Sequence, residues 1–314
     1  MKKLLPSILM LLFLVNSIAA QEQKTVITGR ILNFNPEKRQ VRIIVNKLGL
    51  ESERYYTKLT DSGLFKIKLK KQIHGDAWFN YNNVNFLFLV NPNNDVHIEM
   101  DNQNKAKTIK SVKFGGNNAI SNMKVLKFQI MTNFNLITND EKIVKAKKHL
   151  NPLDFTKFMD SINKQQLSLY NDFLKNEKPN KEVENWAFVY AQEPYNYCMY
   201  WYPEEHSNLN NLSEWRVPIS FYDYQAKNLP LKKEQLISTY QIGMFTNQFL
   251  FGYINEHIYE DNKEVIKNNP ESIDENSLWV KGILKYTKDP LLKQLLLLES
   301  WLLLYQILEL HGCL

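Results

Sequence analysis

The densest group of side chains that could do chemistry lies between residues 186 and 224, where aromatic rings alternate with carboxylates. Flat rings suit the faces of sugars or peptides and carboxylates bind hydroxyls or amines, so this segment is a candidate ligand cleft. A pair of carboxylates could also hydrolyse a glycoside. The third interpretation, which we favour, is that the large rings pack helices and loops together. The residues are Trp186, Phe188, Tyr190, Glu193, Tyr195, Tyr197, Tyr200, Trp201, Tyr202, Glu204, Glu205, Glu214, Trp215, Phe221, Tyr222, Asp223 and Tyr224.

The histidines do not form a recognisable metal site. No two of them are spaced i, i+4 within one predicted helix, and only His206, beside Glu204 and Glu205, suggests a metal cluster. We interpret His206 as a solvated loop residue. The chain also lacks the G-x-S-x-G motif of serine hydrolases and the glycine-rich loops that bind phosphates. We therefore predict no catalytic residue, no metal site, no cofactor, and a protein that is not an enzyme. The histidines are His74, His97, His149, His206, His257 and His311.

The two cysteines are Cys198 and Cys313, and they do not form a C-x-x-C pair. A thioredoxin-type redox centre needs such a pair. The thiols are either free, which we favour, or joined in one long-range disulfide.

The N-terminus has the order of a secretory leader. Lys2 and Lys3 precede an apolar run over residues 4–15, and small residues at 17–20 lead into a polar segment. This predicts a signal peptide over residues 1–20, cleaved after Ala20, and a protein exported to the periplasm or cell envelope.

The charge of the chain argues against nucleic acid as a partner. The net charge is +6, and it falls to +4 without Lys2 and Lys3. No dense block of Lys and Arg of the kind that follows a phosphate backbone is present. We interpret the short basic run at residues 145–148 as the exposed face of a helix.

Residues 21–113 are predicted to form a β domain. Short segments with β-branched or alternating apolar residues predict strands at 25–28, 41–45, 55–59, 64–69, 86–90 and 96–100. The run at 86–90 is apolar throughout, so we expect it to lie centrally in its sheet. The spacing is typical of an antiparallel β-sandwich or open barrel, and the polar residues 101–107 are expected to be a bridge at its end.

Residues 114–314 are predicted to form a mainly α-helical domain, so the fold class is α+β. Gly115 and Gly116 are interpreted as a bend, after which the apolar period changes to that of helices. Met123, Leu126, Phe128 and Ile130 are expected to form the apolar face of the first helix. Pro203, Pro218 and Pro230 are expected to interrupt a loop-rich middle. Helices are predicted at 117–134, 154–175, 181–201, 248–259 and 289–310.

The Leu-rich segment 291–310 has the length of a membrane span. It contains Lys293, Glu299 and Glu309, and a charge near a bilayer centre costs about 2.5–3.5 kcal/mol. We therefore expect a buried helix and no transmembrane span in the mature chain. If the chain is a truncated form, this helix would leave an apolar patch through which copies could self-associate.

Four segments in this order resemble a known family. They are residues 27–31 (ITGRI), 60–65 (TDSGLF), 90–98 (VNPNNDVHI) and 114–122 (FGGNNAISN). Together they are similar to the N-terminal half of the exported thioredoxin-like (TlpA-type) thiol–disulfide oxidoreductases of Bacteroidetes. The resemblance covers about residues 25–135. It implies a small β domain, a helical segment and then a thioredoxin domain, with a role in cell redox homeostasis in a Gram-negative bacterium.

The chain departs from that family because it has no thioredoxin domain and no C-x-x-C, so no catalytic residue is carried over. We expect a non-catalytic exported binding or accessory region whose ligand is an unknown protein, peptide or glycan. Two alternatives stay open. One is a truncated disulfide reductase whose catalytic domain is absent from the sequence, and the other is an envelope carbohydrate- or peptide-binding module.

Overall fold

The computed structural model describes residues 25–46, 52–69, 74–132, 140–213, 215–227, 232–268 and 275–298. The predicted signal peptide with its cleavage site at Ala20 lies outside these residues, as do His311 and Cys313.

The first part of the described chain forms two four-stranded sheets. Their strand orders are β4-β1-β7-β8 and β3-β2-β5-β6. Neighbouring strands are antiparallel except for β1 and β7, which run parallel. The strands are β1 (Val26–Leu32), β2 (Gln40–Asn46), β3 (Ser52–Lys58), β4 (Leu64–Lys68), β5 (Gly75–Tyr81), β6 (Val84–Val90), β7 (Val96–Asp101) and β8 (Lys113–Gly115).

The two sheets pack face to face because alternate side chains of their strands are apolar and point inward. In β1, Ile27 and Ile31 are buried whereas Arg30 is exposed. Phe65 of one sheet and Phe79 of the other have ring centroids 5.9 Å apart across the interface. With the helices that follow, this confirms the predicted α+β class with an N-terminal sandwich.

Helices follow the sheets, and asparagine or aspartate side chains begin several of them. Asn104, Asp140, Asn151 and Asn180 each accept a hydrogen bond from a backbone N–H in the first turn of the helix that follows. Such caps satisfy N–H groups that have no partner within the helix. The helices are α1 (Lys105–Ser111), α2 (Ala119–Thr132), α3 (Glu141–His149), α4 (Pro152–Glu177) and α5 (Lys181–Asn210).

The remaining elements are shorter. Two 3-10 turns, Ile219–Tyr222 and Lys233–Ile237, precede longer helices, and a π-helical turn, Phe249–Ile254, continues α7 directly into α8. The Gln225 side chain stabilises this wide turn, because it accepts from the Tyr253 N–H at 2.9 Å and donates to the Gln248 carbonyl at 3.0 Å. The helices are α6 (Asp223–Lys227), α7 (Thr239–Gln248), α8 (Asn255–Asn268) and α9 (Glu275–Tyr286), and residues 290–298 are also helical.

Helices α2, α5 and α7 cover the outer face of the β3-β2-β5-β6 sheet, and α4 packs on α2 and α5. Leu87 and Leu89 of β6 share one buried cluster with Val125, Phe128 and Trp186 from these helices. Strands β5 and β6 are therefore buried on both faces, against the other sheet and against the helices.

The position of β6 differs from the prediction, because β6 lies at the edge of its sheet and not at the centre. Its apolar run arises because both of its faces are buried. Helix α2 also covers its backbone edge: the Asn122 amide bonds the Leu89 N–H at 2.7 Å and the Leu89 carbonyl at 3.2 Å. The Gln129 amide does the same for Leu87, at 2.8 Å to each group. A covered edge has the composition of a central strand.

Several predictions for the helices were wrong. The polar residues predicted to bridge the two parts include helix α1, which Asn104 caps. On α2, Met123 and Ile130 are 40% and 41% exposed. Asn122 and Val125 are buried in their place, because α2 turns its amide side chains toward the β6 edge.

Other predicted helices were too short. Pro203 lies inside α5, which extends to Asn210, and the predicted helix at 248–259 is the middle of a continuous helical run from α7 to α8. Strand β5 and helices α3 and α9 were not predicted separately. No helix among the described residues is long and apolar enough to cross a membrane. The Leu-rich segment beyond residue 298 lies outside the described residues.

Candidate functional site

The outer face of strand β5 carries polar and aromatic side chains toward the helices. Ala77, Phe79 and Tyr81 face the sandwich core. The alternation of a strand therefore directs Asp76, Trp78 and Asn80 to the opposite face, where α5 and α7 pack.

Asp76 is fully buried and joins four segments of the chain. Its carboxylate accepts hydrogen bonds from the Thr239 hydroxyl at 2.8 Å, the Tyr240 N–H at 2.9 Å and the Trp186 indole N–H at 2.9 Å. The Asn46 amide adds a longer bond at 3.4 Å. Burial raises the pKa of Asp76, and the hydrogen bonds act in the opposite direction. Asp76 therefore fixes how α5 and α7 sit on the sheet.

A cavity of about 320 Å³ opens beside this junction. Aromatic rings form much of its wall: Trp78 meets Tyr240 edge to face with ring centroids 5.2 Å apart, and Tyr190 stacks on Trp186 at 4.8 Å. Side-chain amides and one carboxyl group complete the lining. The lining residues are Ile44, Trp78, Asn80, Asn85, Tyr190, Glu193, Tyr240 and Gln241.

Two polar groups in this lining receive no hydrogen bond from a described residue. Glu193 is 4% exposed, and burial alone raises the pKa of its carboxyl group to about 8. No described group donates a hydrogen bond to it. The Asn80 amide nitrogen is also buried and unbonded, although the Asn80 oxygen accepts from Arg42 at 3.3 Å. Buried polar atoms nearly always have partners, so the Asn80 nitrogen is an exception.

Two other cavities have no described lining residue with a buried, unpartnered polar atom. A groove of about 700 Å³ between α1, β8 and α2 is lined mostly by apolar side chains, including Ile120 and Met123. A cavity of about 350 Å³ lies between α4 and the turn at Ile219–Tyr222. Its Asp160 carboxylate accepts from the Tyr195 hydroxyl at 3.0 Å. The Glu193 cavity is therefore the candidate site.

The structure divides the aromatic segment of residues 186–224 between several places. Only Tyr190 and Glu193 of that set line the cavity. Tyr202 instead stacks on Phe155 at 4.2 Å within a separate buried cluster that also contains Phe221 and Tyr224. Most of the rings therefore pack helices together, which was the favoured interpretation.

Sequence reasoning missed the half of the cavity that the sheet provides. Trp78 and Asn80 belong to β5, more than 100 positions before residue 186, and helix α7 adds Tyr240 and Gln241, which also lie outside residues 186–224. Neither segment carries a recognisable motif. The only signal in the sequence was the presence of Trp and Asn at alternate positions of an otherwise apolar stretch.

The faint metal cluster at His206 has a structural explanation. His206 lies in helix α5 and not in a loop, its Nδ1 is 2.7 Å from the Lys147 carbonyl oxygen, and its ring lies 4.5 Å from Trp215. Glu205 forms an ion pair with Lys147, which is buried and does not belong to an exposed basic face as predicted. Among the described residues, no group of three or more His, Cys, Asp or Glu could hold a metal ion.

Cys198 is a buried free thiol in α5. Burial raises its pKa to about 12, which keeps it protonated and poorly nucleophilic at neutral pH. Cys313, its candidate disulfide partner, lies outside the described residues.

No protein-family model, curated protein or solved structure matches this chain. Function is therefore inferred from the geometry of the cavity.

Proposed function

We propose that this protein is an exported, non-catalytic binding module that holds a small ligand in the Glu193 cavity. The observation that carries the proposal is one aromatic-lined cavity that holds two polar groups. The Asn80 amide nitrogen is buried without a partner, and the Glu193 carboxyl group receives no hydrogen bond from a described residue. A buried polar group without a partner costs about 1–3 kcal/mol. A ligand that accepts a hydrogen bond from the Asn80 nitrogen would recover this cost, and the same ligand could contact Glu193.

The lining supports binding in preference to hydrolysis. Glu193 is the only carboxylic acid among the described lining residues, and none of them is Ser, Cys, His or Lys. Glycoside hydrolysis by the usual route needs two carboxyl groups. The two hydroxyl groups in the lining belong to Tyr190 and Tyr240, and burial raises the pKa of both, which disfavours a nucleophilic phenolate. The buried, protonated thiol of Cys198 likewise does not favour the redox alternative.

Equivalence to the accessory region of TlpA-type proteins remains part of the proposal. The chain order of sandwich and helices is what the resemblance leads one to expect. The motifs themselves have structural roles: Asp95 accepts from the Val26 N–H at 2.8 Å, and Asn94 bonds Asn117 at 3.1 Å and Asn118 at 3.4 Å. These hydrogen bonds tie the turn before β7 to the start of β1 and to the residues that precede α2. The resemblance therefore bears on the fold, and the cavity bears on binding.

The binding role can be tested by NMR titration of the mature chain with a panel of monosaccharides, disaccharides, tripeptides and small amines. We expect at least one class to shift the Trp78 indole signal and to bind more weakly to Trp78→Leu. Trp201→Ala is the matched control, because Trp201 is a partly buried indole outside the cavity lining. A panel that leaves the Trp78 signal unchanged, or a ligand that binds Trp78→Leu as well as wild type, would refute the proposal.

Export is tested separately. Fusion of residues 1–24 to a reporter that is active only outside the cytoplasm should give activity, and mass spectrometry of the native product should show cleavage after Ala20.

A further inference from the structure

We infer that the ligand of the Glu193 cavity is a small organic cation, an alkylammonium compound that also carries a hydrogen-bond acceptor such as a hydroxyl or carbonyl. This inference rests on the proposed binding role and adds the chemical class of the ligand. It follows from the charges and dipoles that surround the cavity.

The described lining offers negative potential and no positive charge. None of the lining residues is Lys, Arg or His. Trp78, Tyr190 and Tyr240 present aromatic rings, which attract cations through their quadrupoles. Glu193 adds a carboxyl group that can become a full negative charge. Aromatic rings around a carboxylate are a general solution for binding ammonium groups.

No described titratable group around Glu193 already gives its carboxyl group a hydrogen bond or a neutralising charge. Burial is the one cause that raises its pKa, and neither a cation nor a hydrogen bond from a described group opposes that effect. Arg42 lies on the same face of the sheet, but it is bonded to the Asn80 oxygen. The described titratable groups that interact electrostatically with Glu193 are Tyr190, Tyr197 and Cys198 on α5 and Tyr240 on α7. Asp76 and Arg42 lie on the same face of the sheet.

The second unpartnered group sets the second feature of the ligand. The Asn80 amide nitrogen is a donor, so it needs an acceptor from the ligand. An ammonium group has no acceptor, and a hydroxyl or carbonyl elsewhere on the same molecule supplies one. The volume of about 320 Å³ is at the lower end for ligand cavities, which fits a compact molecule.

Binding of such a cation has a defined proton balance. In the free protein at neutral pH the Glu193 carboxyl group is mostly protonated, because its pKa is about 8. When the cation binds, the O–H bond breaks, the proton passes to the solvent, and the ligand charge neutralises the carboxylate. Affinity therefore rises with pH until Glu193 is already ionised in the free protein.

Choline and 3,3-dimethylbutan-1-ol make a suitable probe pair. Both carry a hydroxyl group and have the same shape, but only choline carries a charge, and that charge does not titrate. Each probe is titrated into the mature chain between pH 6 and 8.5 while the Trp78 indole signal is followed by NMR. A second pair, (2-hydroxy-2-phenylethyl)trimethylammonium and its neutral analogue 3,3-dimethyl-1-phenylbutan-1-ol, keeps a hydroxyl group in both members and extends the test to a larger apolar group.

We expect the affinity for choline to rise about tenfold per pH unit below pH 7 and to level off above about pH 8. At pH 8.5 each charged probe should bind at least about tenfold more tightly than its neutral partner. Glu193→Gln should abolish the pH dependence and reduce the preference for charge to what the aromatic rings supply. Glu204→Gln is the matched control, because Glu204 is an exposed residue of the same helix, and it should change neither.

The wild-type profile alone can overturn the inference. A neutral probe that binds as tightly as its charged partner, an affinity that falls as pH rises, or failure of all four probes to shift the Trp78 signal would each refute a cationic ligand. The binding role itself fails only if the broader panel of sugars and peptides also leaves the Trp78 signal unchanged. The two failures are therefore distinguishable.

Discussion

The Trp186 indole N–H donates a hydrogen bond of 2.9 Å to the Asp76 carboxylate, and both residues are fully buried. This bond joins helix α5 to strand β5, two elements that are distant in sequence. On the next turns of the same helix, Glu193 is buried without any described donor. The fold thus supplies partners for one buried carboxyl group and leaves the other for a ligand.

Asp76→Asn should destabilise the protein by about 1–3 kcal/mol. An amide has one donor end, and each carboxylate oxygen of Asp76 now accepts from a donor, so one N–H or O–H must lose its acceptor. Urea denaturation at pH 7 measures the change. Asp61→Asn is the control, because the Asp61 side chain is 94% exposed, and it should change stability by less than about 0.5 kcal/mol. Equal effects would contradict the role given to Asp76.

Glu193→Gln should change how stability depends on pH. The folded-state pKa of about 8 is raised above the ordinary value of 4.5, so the folded state binds more protons than the unfolded state between these values. In wild type the free energy of unfolding should therefore fall as pH rises from 4.5 to 8, by as much as about 1.4 kcal/mol per pH unit. Glu193→Gln cannot ionise, and it should be more stable than wild type at pH 8.

Urea denaturation at pH 5 and pH 8 tests this sign. The stability gained by Glu193→Gln should be larger at pH 8 than at pH 5, whereas Glu204→Gln should show no such difference. Parallel pH profiles for wild type and Glu193→Gln would show that Glu193 is not titrating in a buried site.

Asn122→Leu should destabilise the protein, because it removes the side chain that bonds the backbone edge of β6. The Asn122 amide is the partner of both the N–H and the carbonyl of Leu89. Leucine leaves two buried backbone groups unpaired, at a cost of about 2–4 kcal/mol. Hydrogen exchange at the Leu89 amide should accelerate more than at core amides of β5. Gln165→Leu, at an exposed position of α4, should leave both quantities nearly unchanged.

The sequence predicted the order of the elements along the chain better than it predicted which elements pack against each other in the fold. Strands such as β1 and β4 alternate clearly because only one of their faces is buried, and their positions were predicted to within a few residues. Strand β5 carries Gly75, Asp76 and Asn80 among its apolar residues, and these three residues are unfavourable in strands, so β5 was missed. Its polar residues are explained only by helices more than 100 positions away.

The residues of the candidate site were likewise only partly predictable from the sequence. Tyr190 and Glu193 were among the residues singled out from sequence, because aromatic rings and carboxylates cluster there. No nearby residue in the sequence distinguishes Glu193 from Glu204 or Glu205. Glu193 is buried, Glu204 is exposed and Glu205 forms an ion pair. These differences depend on which face of the helix meets the sheet. Trp78 and Tyr240 enter the site through long-range packing alone.

The adjacent glycines 115 and 116 should respond differently to alanine. Gly116 has a φ of +90°, and a Cβ there would lie 2.1 Å from the Asp95 carbonyl oxygen. Both the left-handed backbone and the close approach oppose a side chain, so Gly116→Ala should cost about 1–3 kcal/mol or more. At Gly115 the nearest atom to a new Cβ is the His97 Cβ at 3.2 Å, which a small shift relieves, so Gly115→Ala should cost less. Urea denaturation of both variants compares them directly, and equal costs would show that Gly116 does not set the bend between β8 and α2.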